Sequence, residues 1–200
     1  QGSRHDLNII AADIRHGRLT VEEAIGDDVQ LYQQYGRGLE WVASNAMNSR
    51  PRAVGLREVH WWWGPSGSGK TRALDDELKE ELDRDDVYFY TNDNGWWDLY
   101  RGQSVIVFED FRGSVPYDDL LRILDRYGYA SVKRRNKGPI RVTTMRVYFT
   151  SPMLPEDVYA GQARNVHDTI VQLQRRITDL RHFPQPALAA PLGTPSSGLM

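Results

Sequence analysis

Hydrophobic positions along this chain follow two periods, one after the other. Leu7, Ile10 and Ile14 recur at the spacing of one helix face until Gly17 interrupts them. Thr20-Val21-Glu22-Glu23 matches a capping box, with Thr20 as N-cap and Glu23 reaching back to its amide. Gly36 and Gly38 are expected to break the pattern again before Leu39 to Met47. Asp6 to Met47 therefore reads as short helices joined by glycines, a bundle too small to be stable alone. Ser49-Arg50-Pro51-Arg52 reads as a linker, and beyond it the period shortens. Val59 to Trp63 is a β-favouring run ending at Gly64, and Thr71 to Asp83 reads as a helix. Val87 to Tyr90 and Val105 to Phe108 are short apolar runs of the kind buried in a parallel sheet. Pro116 to Tyr127 reads as helical, with Tyr117, Leu120, Leu121 and Leu124 on one face. Tyr129 to Val132 and Val142 to Phe149 read as strands flanking a basic turn. Asp168 to Leu180 reads as a last helix carrying Ile170, Leu173 and Ile177. Strands alternating with helices predict an α/β domain around a mostly parallel sheet. From Pro184 the chain is rich in Pro, Ala, Gly and Ser and reads as a disordered tail. The expected division is 1–50 helical, 51–183 α/β, and 184–200 tail.

Composition narrows the classes without choosing among them. Hydrophobic residues at 40% and charged residues at 26% suit a globular chain of 200 residues. No apolar run approaches the roughly 18 residues of a membrane span, so no membrane association is expected. The opening residues do not have the pattern of a signal peptide. Cysteine is absent, which excludes disulfides, zinc–thiolate sites and cysteine nucleophiles and fits a reducing compartment. The net charge of −2 means that nucleic-acid binding would need a local basic patch.

One motif carries explicit chemistry. Gly64-Pro65-Ser66-Gly67-Ser68-Gly69-Lys70-Thr71 fits the phosphate-loop pattern in full, between a predicted strand and a predicted helix. Its glycines let successive amides turn inward as an anion nest at a helix start. Lys70 would reach the β- and γ-phosphates of ATP, and Thr71 would offer its hydroxyl to Mg2+. Val105 to Phe108 is followed by Glu109 and Asp110, which would stand beside that metal. Glu109 is assigned to the metal and Asp110 to the attacking water, with the two roles exchangeable.

A second cluster is basic. Lys133, Arg134, Arg135, Lys137 and Arg141 place five cations within nine residues of a net-negative chain. Such a hairpin tip can grip a phosphate backbone without reading bases. The acidic stretch from Asp75 to Asp86 reads as the wet face of the helix after the phosphate loop. Trp96 and Trp97 could be core or stacking platform, and spacing does not decide between them.

Taken in order, these segments resemble the helicase half of circovirus-type replication initiator (Rep) proteins. The resemblance runs from Glu58 to about Leu180. It is carried by the phosphate loop, Asn94-Gly95-Trp96-Trp97-Asp98-Leu99-Tyr100-Arg101-Gly102, Val105 to Phe111, Pro116 to Arg122, Val147 to Pro152, and Gln174-Arg175-Arg176-Ile177-Thr178. The helical N-terminal part is similar to the family's oligomerisation segment. The resemblance implies a superfamily 3 helicase, an AAA+-like P-loop ATPase preceded by an all-α oligomerisation bundle. It implies a homo-oligomeric ring, hexameric in most of the family, that moves 3′ to 5′ on single-stranded DNA in rolling-circle replication of a small circular viral genome. The phosphate loop and the acidic pair map to Walker A and Walker B. Lys133, Arg134, Arg135 and Lys137 map to the DNA-gripping loop. One of Arg175 and Arg176 maps to an arginine finger offered to a neighbouring subunit, a role worth about 10³-fold or more in rate. A host-nuclear location is implied by the family alone.

Two departures bear on these expectations. The family's sensor Asn is Pro152 here, so Thr150 or Ser151 would have to serve at the γ-phosphate. The family's nickase domain needs a His-x-His pair, and His5, His16, His60, His167 and His182 supply none. The chain is expected to be a fragment without nicking activity, with Gln1-Gly2-Ser3 as an expression scar. A small-molecule P-loop kinase and a DNA-binding ring with impaired hydrolysis are the rival readings.

Overall fold

The computed structural model describes residues 2–49, 56–92, 94–127, 130–160 and 170–185. Its centre is a five-stranded sheet of β1 (Glu58–Trp63), β2 (Val87–Phe89), β3 (Val105–Phe108), β6 (Arg146–Ser151) and β7 (Asp179–His182). The order is β2-β3-β6-β1-β7, and every neighbouring pair is parallel. This is an α/β architecture around a parallel sheet, and parallel strands bring all their C-terminal ends to one edge. β4 (Ser131–Arg134) and β5 (Lys137–Arg141) pair only with each other, antiparallel, as a separate hairpin.

Burial on both faces explains the apolar runs. Alternate residues of a strand point to opposite faces. Val59 and Trp61 of β1 join Ile106, Phe108, Val147 and Phe149 in the larger core, under α7 (Tyr117–Ile123) and the Trp97–Tyr100 loop. Trp62 joins Val105, Val107 and Tyr148 on the other face, under Leu74 and Leu78. Trp61 and Trp62 are both fully buried, and each indole N–H is satisfied. Trp61 donates to the Met153 carbonyl at 3.1 Å and Trp62 to Asp179 at 3.0 Å. Trp97 is also core, stacked on Tyr88 at a centroid separation of 5.3 Å, which settles the choice that spacing left open.

Helices α1 (Gly2–Arg15), α2 (Val21–Ile25), α3 (Val29–Leu31) and α4 (Arg37–Ser49) precede the sheet. The capping box forms: Glu23 N–H donates to Thr20 Oγ1 at 3.1 Å, and Thr20 N–H donates to Glu23 at 2.8 Å. Ile14, Val21, Ile25 and Leu39 make a small core of their own. The segment leans on the hairpin through α4. Asn48 donates to the Pro139 carbonyl at 3.0 Å and accepts from the Arg141 amide at 2.8 Å.

Several element boundaries differ from expectation, each for a local reason. Gly36 and Gly38 do not interrupt the helix; a single π-turn, Tyr32–Gly36, joins α3 to α4. The predicted helix 71–83 is two, α5 (Lys70–Glu77) and α6 (Lys79–Asp83), bent at the fully buried Leu78. The predicted helix 116–127 is the shorter α7. Val142 to Phe149 is not one strand, because the chain changes sheets there. Met145 and Arg146 N–H both donate to the Ser104 carbonyl, which steers the chain from hairpin to β6. The predicted helix 168–180 is reduced to α9 (Val171–Gln174) among the described residues. Its end becomes β7, because the open edge of β1 takes Thr178 N–H onto the Val59 carbonyl at 2.8 Å. Leu173 is nevertheless buried, with Ile170 and Ile177 packed beside it, as the helical spacing implied. Arg50 to Arg52, Tyr129, His167 and the tail beyond Gln185 lie outside the described residues. No described helix is long and apolar enough to cross a membrane.

Arg57 ties these pieces together. It is 7% exposed, and its guanidinium donates to the carbonyls of Thr144 at 2.8 Å and Val142 at 3.1 Å and to that of Ile123. One side chain thus joins the entry to β1, the end of α7 and the crossing into β6. Burial holds the guanidinium below its ordinary pKa. Arg57→Ala is expected to cost about 2–4 kcal/mol, because buried acceptors lose charge-assisted bonds. Arg57→Lys should recover only part of that, since an ammonium cannot fork to several carbonyls. Urea unfolding of the two variants checks both values.

Candidate functional site

The C-terminal edge of the sheet collects three strand ends. β1 runs out at Trp63 and the chain turns at Gly64, whose N–H donates to the Ser151 carbonyl of β6 at 3.1 Å. Gly64 has φ +149°, and a Cβ there would overlap the Phe183 carbonyl oxygen just beyond β7. Only glycine fits so close an approach. Gly67 and Gly69 also have positive φ, which turns the loop back on itself before α5 begins. No side chain caps α5, so its first amides open into the cleft.

That cleft has a volume of about 500 Å³ and is lined by Ser66 to Arg72, Glu109, Asp110, Arg112, Thr150 and Pro152. Most of the expected phosphate and metal residues therefore meet in one place. Lys70 bends back over the loop, donating to the carbonyls of Gly64 at 2.7 Å and Pro65 at 2.8 Å and to Ser68 at 3.3 Å. Partial burial lowers its pKa, with the charge of Asp110 acting in the opposite direction. Glu109 and Asp110 follow the buried β3 and are both exposed in the cleft.

Asp110 adopts φ +43°, a left-handed conformation rare outside glycine and costing on the order of 1–2 kcal/mol. The end of β6 holds it there. Asp110 N–H donates to Thr150 Oγ1 at 3.1 Å, and Phe111 N–H donates to the Thr150 carbonyl at 2.8 Å. Ser151 Oγ donates to the Phe111 carbonyl at 2.8 Å and accepts from Met153 N–H at 3.0 Å. Thr150 and Ser151 thus both brace the acidic turn. Thr150 borders the cleft, whereas the Ser151 hydroxyl is engaged on both sides. Arg112, which sequence reasoning missed, pairs with both Asp110 oxygens at 3.2 and 3.3 Å. The available signal was a cation two residues after the acid.

The donor set suits Mg2+. A hydroxyl from Thr71 and carboxylates from Glu109 and Asp110 face one space, and Mg2+ takes one or two carboxylates plus substrate phosphates. No group of three or more His, Cys, Asp or Glu side chains that could hold a metal ion is found among the described residues.

The four hairpin cations have different surroundings. The turn is Arg135-Asn136, with Asn136 at φ +55°. Arg134 is 6% exposed and bonds Ser44 Oγ at 2.5 Å and the Gly138 carbonyl at 3.3 Å. Lys137 pairs with Glu40 of α4 at 2.5 Å. Arg135 is held by Asp98, which accepts from its N–H and its Nε, each at 2.5 Å. Lys133 is exposed and lines a separate cleft of about 510 Å³ with Tyr90, Asn92, Asn94 and Arg122. Two of the four are thus turned toward the helical segment.

Arg175 and Arg176 lie before β7, and β7 runs parallel to β1 with Asp179 opposite His60 and His182 opposite Trp63. They stand at the opposite end of these strands from Gly64, so the fold does not bring them to this chain's own cleft. Arg176 donates to the Gln172 carbonyl at 2.6 Å, and the Arg175 carbonyl accepts from Arg126 at 3.5 Å.

Comparison with known proteins agrees with the motif order. The RNA helicase family model matches residues 60–152. The replication-associated protein of Human associated cyclovirus 1 is 35% identical over 130 residues, covering 64% of this chain and 46% of that protein. That of Porcine circovirus 1 is 34% identical over 185 residues, covering 92% and 55%. The chain spans about half the length of the curated relatives it matches. Among solved structures, NtrX from Brucella abortus in complex with ADP aligns over 78% of this chain and 36% of its own, at 12% identity and a TM-score of 0.44.

The Asp98 tether generates a pH prediction. Hydrogen bonds from the Arg135 backbone first, and then its side chain, hold the Asp98 carboxyl below its ordinary value. A depressed folded pKa gives stability that is full above the unfolded value of about 3.9 and is lost as pH falls through the lower folded one. The stability gap between wild type and Asp98→Asn should therefore be constant at neutral pH and close only in acid. Urea unfolding across that pH range measures it.

Proposed function

From the premise that the chain belongs, as a helicase region, to the circovirus-like replication-associated proteins, we propose that it hydrolyses ATP to drive movement on single-stranded DNA. The observation that carries this reading is the shared cleft, where phosphate loop, acidic turn and the end of β6 converge. Lys70 exchanges its bonds to the Gly64 and Pro65 carbonyls for phosphate oxygens, trading neutral acceptors for charged ones. Thr71, Glu109 and Asp110 would hold Mg2+, which would supply positive charge against the developing phosphate charge. Asp110 or Glu109 orients the attacking water, and the Thr150 brace keeps the acidic turn aimed while it does so. Arg112, paired with Asp110 at 3.2 Å, lines the same cleft.

The finer reading is a hexameric ring moving 3′ to 5′ in rolling-circle replication within a host nucleus. The helical segment assembles the ring, and Arg175 or Arg176 reaches a neighbour's cleft. Their position away from this chain's own phosphate loop is compatible with a role in trans. A second reading, a DNA-binding ring with weak hydrolysis, is favoured by one observation. Pro152 borders the cleft without a side-chain donor, and the Ser151 hydroxyl is already engaged.

ATP hydrolysis with and without single-stranded DNA separates these readings, with Lys70→Ala as the blank. The helicase reading expects hydrolysis that rises on adding DNA and falls by about 10²-fold or more in Lys70→Ala. DNA binding without hydrolysis selects the ring with weak hydrolysis. Hydrolysis indifferent to DNA points to a small-molecule kinase instead.

A further inference from the structure

Between the helical segment and the hairpin turn lies a groove of about 780 Å³ that no nucleotide chemistry accounts for. Tyr32, Arg37 and Trp41 form one wall, and Arg135, Asn136 and Lys137 the other. Both aromatic rings face water: Tyr32 is 56% exposed and Trp41 65%. Exposed aromatics gathered in one groove with a polar rim mark an interaction surface.

The backbone is shaped to present these rings. The π-turn Tyr32–Gly36 adds a residue to the helical turn, a distortion found frequently at functional sites. A Cβ at Gly36 would meet the Tyr32 ring at 2.8 Å, so the ring lies against bare backbone and is held from behind. Tyr32 and Trp41 are nine positions apart on a nearly continuous helix, about 13 Å along its axis. That spacing corresponds to on the order of two to four nucleotides at 3.4 Å or more each.

Charge identifies the occupant. Glu40, the one acid lining the groove, is 16% exposed and already paired with Lys137. Arg37 is exposed, and no ion pair is recorded for it among the described residues. Arg135 stays half exposed while bonded to Asp98. The groove therefore offers the charge of Arg37 and the half-exposed guanidinium of Arg135 together with two π-faces, the combination that binds single strands through backbone attraction and base stacking.

We propose that Tyr32 and Trp41 form a stacking platform for bases of single-stranded DNA, with Arg37 and Arg135 following the phosphates. This rests on the single-stranded DNA reading above and deepens it: the helical segment is part of the nucleic-acid groove, and the hairpin supplies only one wall. Arg134 and Lys137, bonded to Ser44 and Glu40, set the width of the groove.

The test is binding of a fluorescein-labelled oligo(dT) to the full chain, followed by anisotropy over a range of salt. Trp41→Ala should weaken binding by about tenfold or more and leave the salt slope unchanged, because stacking releases no counterions. Trp41→Phe should restore most of the affinity. Arg37→Ala should weaken binding and make the slope shallower by about 0.7, the value for one phosphate contact on a single strand. Thermal melting confirms that each variant is folded. Wild-type affinity in folded Trp41→Ala, with the parent chain binding DNA, overturns the platform and leaves the helicase reading intact. Loss of assembly by sedimentation, with per-subunit DNA affinity unchanged, overturns it in favour of a subunit interface. A parent chain that binds no DNA overturns the helicase reading and the platform with it.

Discussion

The phosphate-loop cleft hangs on the parallel ladder β3–β6–β1. The register sets Trp63 beside Ser151 and Phe108 beside Phe149. The residues that follow, Gly64 and Glu109-Asp110, therefore emerge at one edge within two residues of the same level. A strand turned antiparallel would send its loop to the far side of the sheet. The ladder is held by apolar weight on both faces: Trp61, Phe149 and Phe108 stack in sequence at 4.7 Å, while Trp62 and Tyr148 pack beneath. Removing a ring of this size from such a core costs about 3–5 kcal/mol, a large share of a typical domain's stability.

Polar groups inside the fold act as braces between elements. Arg57 gathers carbonyls from three segments, and Thr150 supports a strained aspartate across two strands. The acidic stretch from Asp75 to Asp86 is more than a wet helix face. Glu77 accepts from Tyr148 at 2.8 Å, Glu81 pairs with Arg146, and Asp86 accepts from Ser104 N–H at 2.9 Å. These bonds fasten the α5–α6 layer and the start of β3 to the sheet below. At the C-terminal edge of the sheet, Lys70 bonds the Gly64 and Pro65 carbonyls and Arg112 bonds Asp110, beside the Thr150 and Ser151 braces.

The hairpin shows how one run of charge is divided among tasks. Arg134 and Lys137 face α4 and satisfy Ser44 and Glu40, Arg135 is anchored to Asp98, and Lys133 looks into another cleft. Anchoring gives the turn a fixed position relative to the helical segment. A rigid turn loses less conformational entropy on meeting a ligand than a loose basic loop would.

Local signals were enough for the phosphate loop, the capping box and the central strands. A full Gly-x4-Gly-Lys-Thr motif between strand and helix has few alternative uses, and doubly buried strands carry unbroken apolar runs. The acidic pair after β3 and the burial of Leu173 were legible for the same reason. Other features depended on neighbours distant in sequence. Thr178 to Leu180 falls within the expected helix, yet the unpaired edge of β1 takes the chain there as a strand. Gly36 and Gly38 look like breakers, but packing carries the helix through them. A basic run shows the number of its charges and nothing of their partners, so the pairing of Arg134 with Ser44, ninety residues away, was invisible. Sequence determines periodicity and local chemistry because these act over a few residues. Tertiary structure decides edges, partners and orientation because they belong to contacts that no short segment contains.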